Sequence, residues 1–162
     1  MNPKFVVACV FPVFLILIVA CGNEDAAASF IPYPVPQGYQ ALTLESLKVE
    51  SNSYDYVNLR DNIERHKGEL LWYVGDVERV YSGSVEGTYQ IWLCTAGLIQ
   101  GGKLCYDPIL LLHSLDRGPE FFQGDKVEIA GVLIGTATYR RNIENIYPAP
   151  IVSVIKAEHL AE

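Results

Sequence analysis

Gly124-Asp125-Lys126-Val127-Glu128-Ile129-Ala130-Gly131-Val132-Leu133 decides the fold. Gly124 and Asp125 are turn residues. After them Val127, Ile129, Gly131 and Leu133 alternate with Lys126, Glu128, Ala130 and Val132, the two-residue period of a strand with two distinct faces. A glycine in the middle of such a run marks a bend or a close approach of another chain segment. Thr136 to Arg140 continues the pattern past a bend at Gly135.

The same period appears upstream. Between Glu69 and Tyr81, Leu71, Tyr73, Gly75 and Val77 share one face, and Leu70, Trp72 and Val74 the other. Ser82, Gly83 and Gly87 form a turn, and a second strand covers Thr88 to Thr95, with Tyr89, Ile91 and Leu93 opposite Gln90, Trp92 and Cys94. Ile109 to His113 makes a third strand, entered through Pro108, a residue suited to a strand start. Ile151 to Ile155 makes a fifth, ending near Leu160. Before them a helix is expected from about Ser53 to Lys67: Ser53 or Asp55 can cap it, Tyr56, Leu59 and Ile63 fall at helical spacing, and Gly68 stands where a terminating glycine belongs. Ser114 to Gln123 has room for one helical turn at most.

Five strands preceded by one short helix, with glycines at 75 and 131 where a small sheet must coil sharply, predict a mainly β chain closed into a five-stranded Greek-key barrel. His66-Lys67-Gly68 followed by the alternation to Gly75 and Val77, then the Gly124 to Gly131 run and the closing Pro150-Ile151 to Val154 segment, resembles bacterial OB-fold domains of the anticodon-binding-like type. The likeness spans about residues 50–162. It implies the barrel topology and an exported setting, and its motifs are structural rather than catalytic.

Composition agrees. The 162 residues are 50% hydrophobic and 19% charged, too apolar for a disordered chain and too few for more than one ordinary domain. Ten tyrosines and two tryptophans suit a β-rich domain. The formal charge of −7 opposes bulk attraction to polyphosphate, so nucleic acid is an unlikely partner.

The N-terminus carries the strongest statement about location. Lys4 precedes an uncharged run from Phe5 to Ala20, 16 residues with Pro12 inside it. That is short for a spanning helix of about 20 residues. The run ends Ile18-Val19-Ala20-Cys21-Gly22, which resembles the lipobox of bacterial lipoprotein precursors. The resemblance implies cleavage after Ala20, removal of residues 1–20 as a signal peptide, and lipidation of Cys21. Two acyl chains, such as the diacylglyceryl group of that family, give stable attachment where a single chain gives only marginal binding. Residues 21–43 then form a tether, punctuated by Pro32, Pro34 and Pro36 and extended at roughly 3.1 Å per residue. The alternative is that Phe30, Ile31, Tyr33 and Val35 pack onto the domain, which occupies residues 44–162. The expected location is the bacterial cell membrane or outer membrane, with the domain on the extracytoplasmic side.

Export bears on the remaining cysteines. With Cys9 in the leader and Cys21 lipidated, Cys94 and Cys105 are left as a pair, and an oxidising compartment favours a disulfide between them. Two separately buried thiols, a redox pair or a metal site are the alternatives. A redox pair wants the closely spaced arrangement seen at helix starts, and a metal needs more ligands than two distant cysteines supply.

No residue set specifies a reaction. His66, His113 and His159 stand beside no nucleophile and are expected as surface or capping residues, with His113 at the barrel mouth as the alternative. Motifs for nucleophilic serine, phosphate cradles or zinc are missing from the sequence, and no cofactor or metal is expected. A tethered metal-dependent nuclease needs converging carboxylates and arginines, for which Asp76, Glu78, Arg79, Asp107, Asp116, Arg140 and Arg141 are the available set. A binding or assembly module is better supported, since OB ligands lie across strands two and three. That face presents Gln90 and Trp92 with Leu110 and Leu112 nearby and Trp72 on the adjoining strand, flanked by Arg140 and Arg141. Rings that stack and polar groups beside them suit an envelope protein or a glycan, with single-stranded nucleic acid as the lesser alternative. The competing expectation is that Leu70, Trp72 and Val74 lie under the N-terminal helix or the tether.

Overall fold

The computed structural model describes residues 36–96, 105–140 and 144–160. The leader, Cys21 and most of the tether lie outside the described residues, as does Arg141. Five strands, β1 (Leu70–Ser82), β2 (Thr88–Cys94), β3 (Pro108–Ser114), β4 (Lys126–Arg140) and β5 (Ile146–His159), close in the order β1-β2-β3-β5-β4 and back to β1. All neighbours pair antiparallel except β3 and β5, which run parallel through Leu110–Leu112 and Ile151–Ser153. The barrel is of the OB type.

Alternation places the core as expected. Leu71, Tyr73 and Val77 of β1, Ile91 and Leu93 of β2, Ile109 and Leu111 of β3, Val127, Ile129 and Leu133 of β4, and Val152 and Val154 of β5 fill the interior. Gly75 and Gly131 are where walls approach most closely. A Cβ on Gly75 would run into the Cys94 carbonyl oxygen, and one on Gly131 would lie 2.5 Å from that of Ser153.

The helical region differs from the single helix expected over Ser53–Lys67. Asp55 caps α2 (Tyr56–Asp61), its carboxylate accepting from the Val57 N–H at 3.0 Å. Asn62 then leaves helical geometry at φ −128° and turns its amide back onto the Asn58 carbonyl at 2.9 Å, so α3 (Ile63–His66) starts afresh. This is the competition with the helix ladder that asparagine side chains offer. The apolar face is nonetheless the one expected: Tyr56, Leu59 and Ile63 are buried in the barrel core. Gly68, at φ +90°, follows in the backbone conformation that favours glycine.

A further helix, α1 (Leu44–Glu50), adds to the expected elements. Thr43 caps it, accepting from the Ser46 N–H at 3.2 Å. Leu44 and Leu47 pack on Leu70, Ala130, Val132 and Ile155, the outward residues of β1, β4 and β5, with Tyr39 and Leu42 at the edge. Two residues assigned to the tether therefore lie on the barrel. Behind α1, Asn52 bridges Leu71 in parallel, and its main chain exchanges hydrogen bonds with Leu70 and Trp72 at 2.9 and 3.2 Å.

Between β3 and β4 a single 3-10 turn, Leu115–Arg117, is the one-turn element the sequence allows. The chain after it meets His113 at Pro119 and Phe121, and His113 is 0% exposed and so is neither a surface nor a capping residue. The cause is strand parity: Ile109, Leu111 and His113 share the inward face of β3. His113 Nε2 donates to the Pro119 carbonyl at 2.9 Å, while Nδ1 is buried with no partner among the described residues. Burial pushes the His113 pKa below its usual value. In the unfolded chain the imidazole titrates near pH ~6.5. As pH falls through that value the unfolded state takes up a proton the folded state refuses, so stability declines towards the lowered folded pKa and is independent of this group well above 6.5. Urea midpoints between pH 7 and 5 are expected to fall more steeply for the wild type than for His113→Leu; parallel curves would contradict the assignment.

Candidate binding face

On the outer side of the barrel, Gln90 pairs with Leu112 and Trp92 with Leu110 across β2 and β3, as the sequence places them. The long β4–β5 hairpin alters what this face offers. Its pairing shifts register between Ala130 and Gly131 and between Leu133 and Gly135, and such bulges bend a strand. Beyond the bend Ala137, Tyr139, Tyr147 and Ala149 lie against Trp92, Leu110 and Leu112. Trp92 is left 9% exposed, its ring edge-on to Tyr139 at 4.9 Å between centroids.

Tyr139 is the keystone of this cover. It is 1% exposed, and its hydroxyl donates to the Glu78 carboxylate, with both oxygens 2.9–3.0 Å away. Arg79 lies 5.2 Å from the Tyr139 ring and 3.4 Å from Glu78. Burial, and then the bond to the Glu78 carboxylate, push the phenol up to about 12. A phenol held neutral in this way is a hydrogen-bond donor fastening the hairpin, with no acid–base role near neutral pH.

The Cys94–Cys105 disulfide is present, with Cα atoms 5.5 Å apart, and both cysteines are fully buried in this outer cluster. Closing a loop of this length stabilises the fold by about 3 kcal/mol in the chain-entropy account. The Glu78 carboxylate lies within 4.8 Å of both sulfurs, the one grouping of three His, Cys, Asp or Glu side chains at such distances among the described residues. With the sulfurs bonded to each other, they offer no thiolate to a metal.

Trp72 is half-buried on the outer side of β1. Its indole N–H donates to Glu128 at 2.7 Å, and Lys48 of α1 pairs with the same carboxylate at 3.0 Å while lying 4.4 Å from the Trp72 ring centre. The strip is therefore divided: Leu70 and Trp72 lie by α1, and Trp92 lies under the hairpin. Gln90 remains half-buried and Arg140 exposed near the hairpin tip, where it pairs with Ile146, itself 49% exposed. Tyr81, 48% exposed, neighbours Gln90 through the β1–β2 ladder. These groups form the accessible part of the predicted face.

The carboxylates considered for a nuclease are spread out. Asp76 pairs with Lys126 and Cys94 in the ladders, Glu78 is tied to Tyr139 and Arg79, Asp107 lies between β2 and β3, and Asp116 receives the Ser114 hydroxyl. Among the described residues they do not converge.

No family model and no curated protein matches the chain. Among solved structures, the OBody NL8 bound to hen egg-white lysozyme is similar at 11% identity and TM-score 0.34, covering 57% of this chain and 96% of that one. The aspartyl tRNA synthetase from Entamoeba histolytica is similar at 11% identity and TM-score 0.40, covering 80% of this chain and 25% of that one. Strand order and pairing alone carry the fold assignment made above.

Proposed function

We propose that this chain is a lipoprotein anchored at Cys21 that holds an OB-type barrel outside the cytoplasmic membrane as a binding or assembly module for an envelope protein or glycan. The observation that carries the reading is the Ile18-Val19-Ala20-Cys21 ending of an uncharged 16-residue run, placed ahead of an independently closed barrel. Supporting it, the two cysteines of the barrel are joined, as cysteines of exported domains commonly are. The acidic chain and the dispersed carboxylates favour neither nucleic-acid binding nor a metal-dependent nuclease.

Contact is assigned to the accessible part of the β2–β3 face, with Gln90 and Arg140 as its polar groups and Arg141 next to Arg140 in sequence. Trp72 and Trp92 act there as supports for α1 and the hairpin. A photoreactive amino acid placed at Gln90 or Arg140 in the intact cell is expected to trap one envelope partner, whereas the same probe at exposed Glu64 of α3 traps none. Equal trapping from all three positions, or none from any, would remove the assignment of this face.

A further inference from the structure

The two edges of the β4–β5 hairpin differ in how they are guarded. On β5, Pro148 and Pro150 oppose Thr138 and Thr136. A proline has no N–H, so these are the pairs without cross-strand hydrogen bonds, and the main-chain N–H and C=O groups of Thr136 and Thr138 point away from β5. On that outer side Leu133 is held: its N–H donates to the Glu69 carbonyl at 3.1 Å and its carbonyl accepts from the Gly68 N–H at 2.8 Å. Gly68 then belongs to the turn that leads back into α3, and β4 runs on past it. Among the described residues nothing bonds to the outward main chain of Thr136, Thr138 or Arg140, and all three are exposed. An open edge is a template for a further strand, a hazard that native proteins cover or blunt. Prolines blunt the β5 edge, whereas β4 carries none.

The chain itself holds a segment that fits this edge. The described residues begin at Pro36, whose carbonyl accepts from the Tyr39 N–H at 3.0 Å. Tyr39 and Leu42 pack at the rim of the α1 cluster together with Ile134, the residue of β4 that follows Leu133 and opens the free edge. The chain therefore enters the domain beside that edge. The stretch before Pro36 reads Phe30-Ile31-Pro32-Tyr33-Pro34-Val35. Residues 22–29 are small and polar, and at Phe30 the composition changes to β-favouring residues alternating with prolines. With the two-residue period of a strand, Ile31, Tyr33 and Val35 would bring their N–H groups to one side and the prolines would take the other, an arrangement suited to an edge strand.

We propose that residues 31–35 add to the barrel as a sixth strand, antiparallel to β4, with Val35 opposite Thr136, Tyr33 opposite Thr138 and Ile31 opposite Arg140. Five residues then face five at a common rise per residue. The three pairs exchange main-chain hydrogen bonds, while Pro32 and Pro34 face outward and leave the new edge as blunt as that of β5. Arg140 contributes its main chain only, so its side chain stays available to the β2–β3 face. In the anchored chain the free spacer after Cys21 shortens from roughly 43 Å to roughly 28 Å, at ~3.1 Å per residue. The pairing concerns the barrel and residues 31–35 and stands whether or not Cys21 carries lipid.

Amide exchange followed by NMR in the full-length chain, held in non-ionic detergent, tests it. The Thr136 and Thr138 amides are expected to exchange more than about ten-fold more slowly in the wild type than in Tyr33→Pro, which removes the N–H that the Thr138 carbonyl accepts. The Ala137 amide, bonded within the hairpin, is expected to exchange equally in both and so reports that the barrel is intact. Pro34→Ala is expected to keep the protection, because the main chain at position 34 faces away from β4. An Overhauser contact between the α-protons of Pro34 and Ala137 is expected in the wild type and lost in Tyr33→Pro. Unprotected Thr136 and Thr138 amides, a missing Pro34–Ala137 contact, protection that survives Tyr33→Pro, a loss in Pro34→Ala as great as in Tyr33→Pro, or protection that rises with protein concentration, as pairing with a second copy would give, would each overturn the proposal.

Discussion

Gly131→Val is expected to lower the thermal midpoint by roughly 10 °C, an overpacking cost of about 3 kcal/mol for a domain of this size. Close approach of the walls sets that cost. A Cβ at position 131 would lie 2.5 Å from the Ser153 carbonyl oxygen and 2.6 Å from a Val152 methyl, and neither can withdraw freely. Ser153 and Val152 belong to the stretch of β5 that also pairs with β3, so moving them opens a second seam of the barrel. Gly135 is the control. It lies in the same strand, at the bend, with nothing within 4 Å of where a Cβ would sit and no left-handed backbone. Gly135→Ala is expected to leave the midpoint within about 3 °C, since a compatible glycine replacement changes stability by only ~0.4–1 kcal/mol. Similar midpoints for the two variants by calorimetry would show that the β4–β5 contact is not what closes the barrel.

The barrel is legible in the sequence because its inward positions follow a strict two-residue period. Val127, Ile129 and Leu133 enter the core as their alternation requires, and so do Leu71, Tyr73 and Val77. Less legible is everything that depends on how far a strand continues and where it bends. The fifth strand, expected from Ile151 to Ile155, starts earlier: Ile146 to Pro150 pairs with Thr136 to Arg140 and extends β5 towards the hairpin tip. That extension encloses Trp92, whose alternation in β2 shows only that it faces outward and cannot show what lies over it.

Leu70 is buried and Trp72 half-buried beside a helix, as the competing expectation has it, but the helix is a different one. Thr43 followed by Leu44 and Leu47 is a capping residue with two apolar residues at helical spacing, a signal submerged at the end of the proline-punctuated stretch. His113 shows another limit. A histidine at the end of a short strand reads as surface unless the inward parity of Ile109 and Leu111 is carried one step further.

The larger effect expected of any single change belongs to Cys21. A lipid-anchored chain owes its membrane attachment to the acyl groups on that sulfur, each buried methylene contributing about 0.8 kcal/mol. Cys21→Ser removes the attachment point while leaving residues 36–160, and hence the barrel, untouched. The variant is expected to keep the wild-type midpoint and lose lipid labelling completely. The intact mass of the wild-type protein taken from membranes is the most direct measurement. The expected result is a chain that begins at Cys21 and carries diacylglyceryl; a chain that still begins at Met1, with Cys21 unmodified, would contradict the account.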